Sequence, residues 1–203
     1  MIIARSIATA GIMNGGRYRE QDFQNHKAKM KQQIEEQYGK LLYTYVTHIC
    51  NASFLKKDEK RFKWAQIILS AISTGGFIAT VVTDQAKLAW IGGIISTLLL
   101  VVSGYLKDKD FSQEQQQHLK VADALWPIRE DYISLLTDFD TLEEKDIADQ
   151  REKLKKATAK IYDGAIQTDA RSYAEAQKQL KDKEHQFFTR DELNKMLPEH
   201  LRH

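Results

Sequence analysis

The sequence predicts an all-α membrane protein: a two-helix transmembrane hairpin with long cytoplasmic amphipathic helices. Three observations carry this. Two uncharged apolar runs, residues 64–83 and 88–106, lie four residues apart. Elsewhere apolar residues recur every three or four positions, which is the helical period. Strand signals are nearly missing, with two prolines, no hairpin dipeptides and no β-branched alternation outside the runs.

At 1.5 Å per residue each run spans roughly 30 Å, the thickness of a bilayer's hydrocarbon core. Only Asp84, Gln85, Ala86 and Lys87 separate them, so the two helices must run antiparallel. The soluble alternative buries the pair inside a bundle, but helices apolar all round need more covering surface than the rest of a 203-residue chain supplies. The mean hydropathy of −0.49 averages over two unlike parts.

Orientation follows from the basic flanks. Lys56, Lys57, Lys60, Arg61 and Lys63 precede the first run, Lys107 and Lys109 follow the second, and the connecting loop carries Lys87. The positive-inside rule therefore places both termini in the cytoplasm. Trp64 and Tyr105 then share the cytoplasmic boundary, and Trp90 lies near the outer one. The formal charge of +2 does not suggest nucleic-acid binding. It is uneven, since residues 1–63 are net basic and the region after the second run is net acidic. Attraction of the basic part to anionic lipid is one explanation, and contact between the two cytoplasmic parts is another.

The chain divides as follows. Residues 1–21 read as disordered: the first fifteen are too short and weakly apolar for a secretory signal, and Gly15-Gly16 breaks any early element. Residues 22–63 form an amphipathic helix stopping near Lys56, its stripe being Met30, Ile34, Tyr38, Leu41, Tyr45, Ile49 and Ala52. Residues 64–106 are the hairpin. Residues 107–203 form a cytoplasmic helical region. There Ser112 with Gln115 gives a capping pattern. A second stripe follows: Leu119, Ala122, Leu125, Trp126, Ile128, Tyr132, Ile133, Leu136 and Phe139. Pro127 should kink or restart that helix. Thr141 with Glu144 opens another helix, carrying Ile147, Leu154 and Ile161 and closed by Gly164. A polar helix from about Asp169 to Glu184 is anchored by Tyr173, Ala176 and Leu180. Thr189 with Glu192 starts a last short helix that Pro198 ends.

No catalytic constellation emerges. His26, His48, His118, His185, His200 and His203 are scattered and read as isolated surface residues, so no metal or cofactor is expected. Cys50, the single cysteine, fits a reducing compartment and a non-catalytic role. The carboxylates of 141–156 interleave with lysines, as in Glu152 with Lys156, and read as a solvated helix face. The chain is not expected to be an enzyme.

The first run is not uniformly apolar. Gln66, Ser70, Ser73, Phe77 and Thr80 share one helical stripe, while Ala71, Gly75 and Ala79 form a row of small residues opposite. In the second run Ala89, Gly92, Gly93, Ser96 and Ser103 share a face. Small residues let helix backbones approach in lipid, so Ala71, Gly75 and Ala79 are expected to pack against Gly92, Gly93 and Ser96. The Gln66–Thr80 stripe would then point away from its own partner, towards other subunits or a lumen. The plain reading of such serines and threonines is satisfaction by their own helix carbonyls.

Several segments together resemble a known family: KLLYTYVTHICNA, QIILSAISTGG, ALWPIREDYISLLTDF, QREKL and FFTRDELNKMLPEHLRH. They are similar to the SLATT family, two-transmembrane effector domains associated with SMODS nucleotidyltransferases and SLOG ligand sensors. The resemblance runs from about Asp22 to the end. It implies a bacterial inner-membrane effector of antiphage defence that oligomerises and opens a pore or disrupts the membrane, arresting growth. It implies no catalytic residues. The trigger would come from a separate signalling or sensor protein or a nucleotide second messenger. A passive two-span scaffold recruiting a soluble cytoplasmic partner is the competing class.

Overall fold

The structure is a computed structural model that describes the backbone of residues 3–83, 86–183 and 188–202, and the side chains of 25–78, 87, 90–183, 188–200 and 202. It is all-helical: α1 (Ile3–Thr83), α2 (Ala86–Asp108), α3 (Phe111–Asp138), α4 (Glu144–Asp163), α5 (Ala170–Lys181), α6 (Arg190–Met196) and a 3₁₀ turn (Glu199–Leu201), with no strand among the described residues. The chain forms two compact units, Met1–Tyr45 with Asp123–Gly164, and Val46–Ala122 with Ala165–His203.

Helix α1 departs from expectation by its length. It begins at Ile3 and passes without a break through Gly15-Gly16 and Lys56. A helix-interior glycine costs only about 1 kcal/mol, which neighbours of good propensity absorb. Pro127 likewise leaves α3 a single helix, although its nitrogen cannot donate to the ladder.

In the first unit three helix segments share one core. Met30, Ile34, Leu41 and Leu42 of α1 are buried together with Leu125, Ile128, Tyr132 and Leu135 of α3 and Ile147 and Leu154 of α4. Phe139, just past α3, closes this core and carries Lys27 and Lys31 over its ring at 5.6 and 5.5 Å. Each fully buried Leu or Ile stabilises the fold by roughly 1.5–3 kcal/mol. The pairs His26–Glu144, Arg151–Gln33 and Tyr162–Thr44 are all offset by 118 residues, so α4 runs parallel to α1. Tyr45 against Trp126 and the lysines over Phe139 set α3 antiparallel to it. The second stripe is shifted slightly from expectation: Trp126 is exposed, and Leu135 rather than Leu136 is buried.

Helix ends follow local chemistry, though not always the expected residues. Asp110 caps α3, accepting from the Gln113 amide at 2.8 Å, where Ser112 was expected. Helix α4 starts after Glu143 with no side-chain cap, and the expected cap Thr141 lies before it, its hydroxyl donating to the Asp138 carbonyl. Gly164 does end α4. Asp169 caps α5 through the Ser172 amide, and α5 is seated by Ser172, Ala176 and Leu180 while Tyr173 is exposed. Thr189 and Glu192 form the full capping box of α6, which ends at Met196 ahead of Pro198.

Candidate functional site: an apolar helix pair and its polar base

Within the second unit the end of α1 lies against α2. Gln66 donates to the Ser103 hydroxyl at 3.1 Å, and Ser73 and Ser96 share a hydrogen bond at 2.9 Å. Both pairs have the same sum of residue numbers, which fixes an antiparallel register. The half-buried residues repeat with a coiled-coil period: Phe62, Gln66, Leu69, Ser73 and Gly76 on α1, and Gly92, Ile95, Leu99, Val102, Ser103 and Leu106 on α2.

This corrects the packing expected for the pair. Gln66 and Ser73 do not point away from α2 but into the seam with it. Ala71 and Gly75 are exposed, and a side chain added at Gly75, Gly92 or Gly93 would meet nothing within 4 Å. Of the small residues assigned to the contact, Gly92 is half-buried in the seam and Ser96 joins it by hydrogen bonding. Larger side chains fill a two-helix contact with more dispersion, and four polar groups cost least when they bond one another. Ser70 and Phe77 remain on the open surface, Phe77 being 72% exposed. The side chains of Ala79, Thr80 and Ala89 lie outside the described residues. Thr74 and Thr97 bond their own helices at Ser70 and Gly93 carbonyls, the plain arrangement for such residues.

Away from the seam the pair presents bulky apolar side chains outward. Ile67, Ile68, Ile72 and Ile78 of α1, and Ile91, Ile94, Leu98 and Leu100 of α2, are all at least half exposed or close to it. Among the described residues one helical stretch, within Trp90–Asp138, is long and apolar enough to cross a membrane, with mean hydropathy 1.5 and none of that window buried.

Below the pair, Phe62, Tyr105 and Phe111 form an aromatic cluster with ring centroids 4.9–6.0 Å apart. A buried polar layer lies further along α1 and α3. His48 and His118 face each other with Nδ1 atoms 2.8 Å apart, both almost wholly buried. One ring must donate and the other accept, so the pair is stable when both are neutral in opposite tautomers. Burial, followed by the neighbouring His118, pushes His48 down to about 4. Burial also lowers His118, against opposing attraction from Glu114 and Asp169. Asp169 is raised by burial, but hydrogen bonds from Ser172 and the Arg171 charge outweigh this and hold it low. Helix α5 is fastened here by Arg171, which lies 3.9 Å over the Phe54 ring and 3.3 Å from Asp58.

The two histidines correct the reading of them as isolated surface residues. Seventy positions separate them, so no local pattern pairs them. A signal was nevertheless present. Ile34, Leu41, His48, Leu55, Phe62 and Leu69 are spaced by seven, as are Phe111, His118, Leu125, Tyr132 and Phe139. A polar residue within such a repeat is a buried layer, and buried polar layers specify register in coiled coils. Cys50 is free and buried, and burial first, then Glu175, pushes its thiol up to about 11, leaving an unreactive thiol. No cluster of metal-ligating side chains is present among the described residues.

An all-helical chain with an exposed apolar helix pair beside buried polar layers has the architecture of a small membrane-associated helical protein. Residues 30–192 match SMODS and SLOG-associating 2TM effector domain family 4, and the chain belongs to that family. No curated protein and no solved structure matches the chain.

Proposed function

We propose that this chain is the membrane effector of a bacterial antiphage defence system, crossing the inner membrane twice with both termini in the cytoplasm. One observation carries the reading: the α1–α2 pair turns isoleucines and leucines outward while Gln66, Ser73, Ser96 and Ser103 bond one another across the seam. In water that surface would aggregate; in lipid it is solvated. The family description, a two-transmembrane effector associated with SMODS and SLOG proteins, supports the defence role.

On a signal from a separate sensor protein or a nucleotide second messenger, copies assemble and open a pore or disrupt the bilayer, causing growth arrest or death. A single helix pair encloses no path, so assembly is required. The exposed Ala71–Gly75 row offers a close-packing surface to a second copy, and exposed Phe77 supplies a bulky apolar group for a constriction. The role is non-enzymatic.

Regulated expression in bacteria, following membrane potential and dye entry at matched membrane levels, tests this. The expected result is loss of potential when the trigger is present, and loss without it for Phe77→Ser. Full membrane insertion with intact potential under every condition, the variant included, overturns the pore reading.

A further inference from the structure

At the base of the α1–α2 pair lies a cavity of about 340 Å³ lined by Lys63, Lys107 and Lys109 together with Glu59, Gln66 and Asp110. That volume is at the small end of ligand sites, which run from roughly 300 to 1,000 Å³. The two wall carboxylates already have partners. Glu59 binds Lys63 at 2.5 Å, and Asp110 accepts from the Gln113 amide at 2.8 Å. The cations are less well matched. Lys109 reaches Glu114 at 3.6 Å, lying 5.2 Å over the Phe111 ring, and Lys107 has no ion-pair partner among the described residues. Lys63 and Lys109 each have a carboxylate at ion-pair distance, which leaves the Lys107 ammonium, among the described residues, as the cavity's unpaired cation, suited to one phosphodiester anion. Lysines hold phosphate as point charges on flexible stems, and need no fixed fork.

Position decides the source of that phosphate. Lys63 immediately precedes the first apolar run and Lys107 immediately follows the second, and Trp64 and Tyr105 adjoin them. In a two-span chain, residues at this level lie where lipid phosphates are, and aromatic and basic residues gather there. We propose that this cavity binds the phosphate of an anionic glycerophospholipid head group, holding the base of the helix pair at the membrane surface. The proposal rests on the two-span reading, and a soluble phosphate offers the same chemistry.

The test uses the full chain in a neutral detergent, with its thermal midpoint read against short-chain phosphatidylglycerol, short-chain phosphatidylcholine and inorganic phosphate at matched ionic strength. Phosphatidylglycerol is expected to raise the midpoint by roughly 2–4 °C. The variant Lys63→Gln/Lys107→Gln/Lys109→Gln should lose most of that shift, while Lys56→Gln/Lys57→Gln/Lys60→Gln, an equal charge loss outside the cavity, should keep it. Equal losses in both variants, or an equal shift with phosphatidylcholine, overturn the site. A shift reproduced by inorganic phosphate supports a phosphate site and overturns the lipid source. Extraction of the chain from vesicles by alkaline carbonate is scored separately. Release there overturns the membrane reading, whatever the phosphate arms give.

Discussion

The first unit's core and the α1–α2 pair expose opposite kinds of side chain. In the core Ile34, Leu41, Leu125, Tyr132 and Ile147 are inside, and the charged residues of α4 are outside, with Glu152 reaching Lys155 and Lys156 at 3.5 and 3.8 Å. In the pair Gln66, Ser73, Ser96 and Ser103 bond across a seam shared with Leu69, Ile95 and Leu99, and Ile67, Ile68, Ile94, Leu98 and Leu100 face out. Both regions are helices packed with the same 3–4 spacing, so backbone geometry does not explain the inversion. The solvent does. Water drives apolar groups inward, whereas lipid offers them no penalty and leaves polar groups to find each other.

The comparison breaks most visibly under truncation. Leu125→Ala in the core should cost about 2–5 kcal/mol, since the cavity cannot fully collapse. Leu100→Ala on the outer face of the pair, 73% exposed, should cost well under 1 kcal/mol in detergent. Chemical denaturation of the purified chain reads both. Equal costs would mean that the outer face of the pair is itself a packed core.

A second test uses the buried polar layer. His48 sits at about 4 in the folded chain against an ordinary value of 6.5, so between these pH values the unfolded chain binds more protons. The stability from keeping the ring neutral is therefore fully present above about pH 6.5 and is lost as pH falls towards 4. The loss is at most about 3 kcal/mol. His118, also lowered, moves in the same direction. Thermal midpoints measured across that window should fall with acid in the parent, and should flatten in the His48→Leu/His118→Leu variant. An equally steep fall in that variant would show that acid acts elsewhere.

The smallest expected effect sharpens the account of the seam. A double-mutant cycle with Gln66→Leu and Ser103→Ala should give a coupling of about 0.5–1 kcal/mol, the usual worth of a hydrogen bond between membrane helices. Zero coupling would place the Gln66 amide outside the seam.

Much of this architecture was legible in sequence because its causes are local. Charge-free runs of twenty and nineteen residues mark the apolar pair, the 3–4 stripes mark Met30, Ile34, Leu41, Ala122, Leu125, Tyr132 and Phe139, and Thr189 with Glu192 announces a helix start three residues apart. Other features depend on partners distant in the chain. A serine–threonine stripe on one helix does not say which neighbour it meets, so the rotation of α1 against α2 awaited the pairing of Gln66 with Ser103 and Ser73 with Ser96. His48 and His118 each look solitary until α1 and α3 lie side by side and bring two nitrogens to 2.8 Å. The lysines at the two run ends became one cavity only when the hairpin closed. Sequence by itself determined the helical class, the apolar runs and the ends marked by Gly164, Asp169 and Thr189, because hydrophobicity and helix termini act within a few residues. Tertiary structure alone decided which faces meet, because rotation about a helix axis is set by the partner's shape and hydrogen bonds rather than by any short stretch of chain.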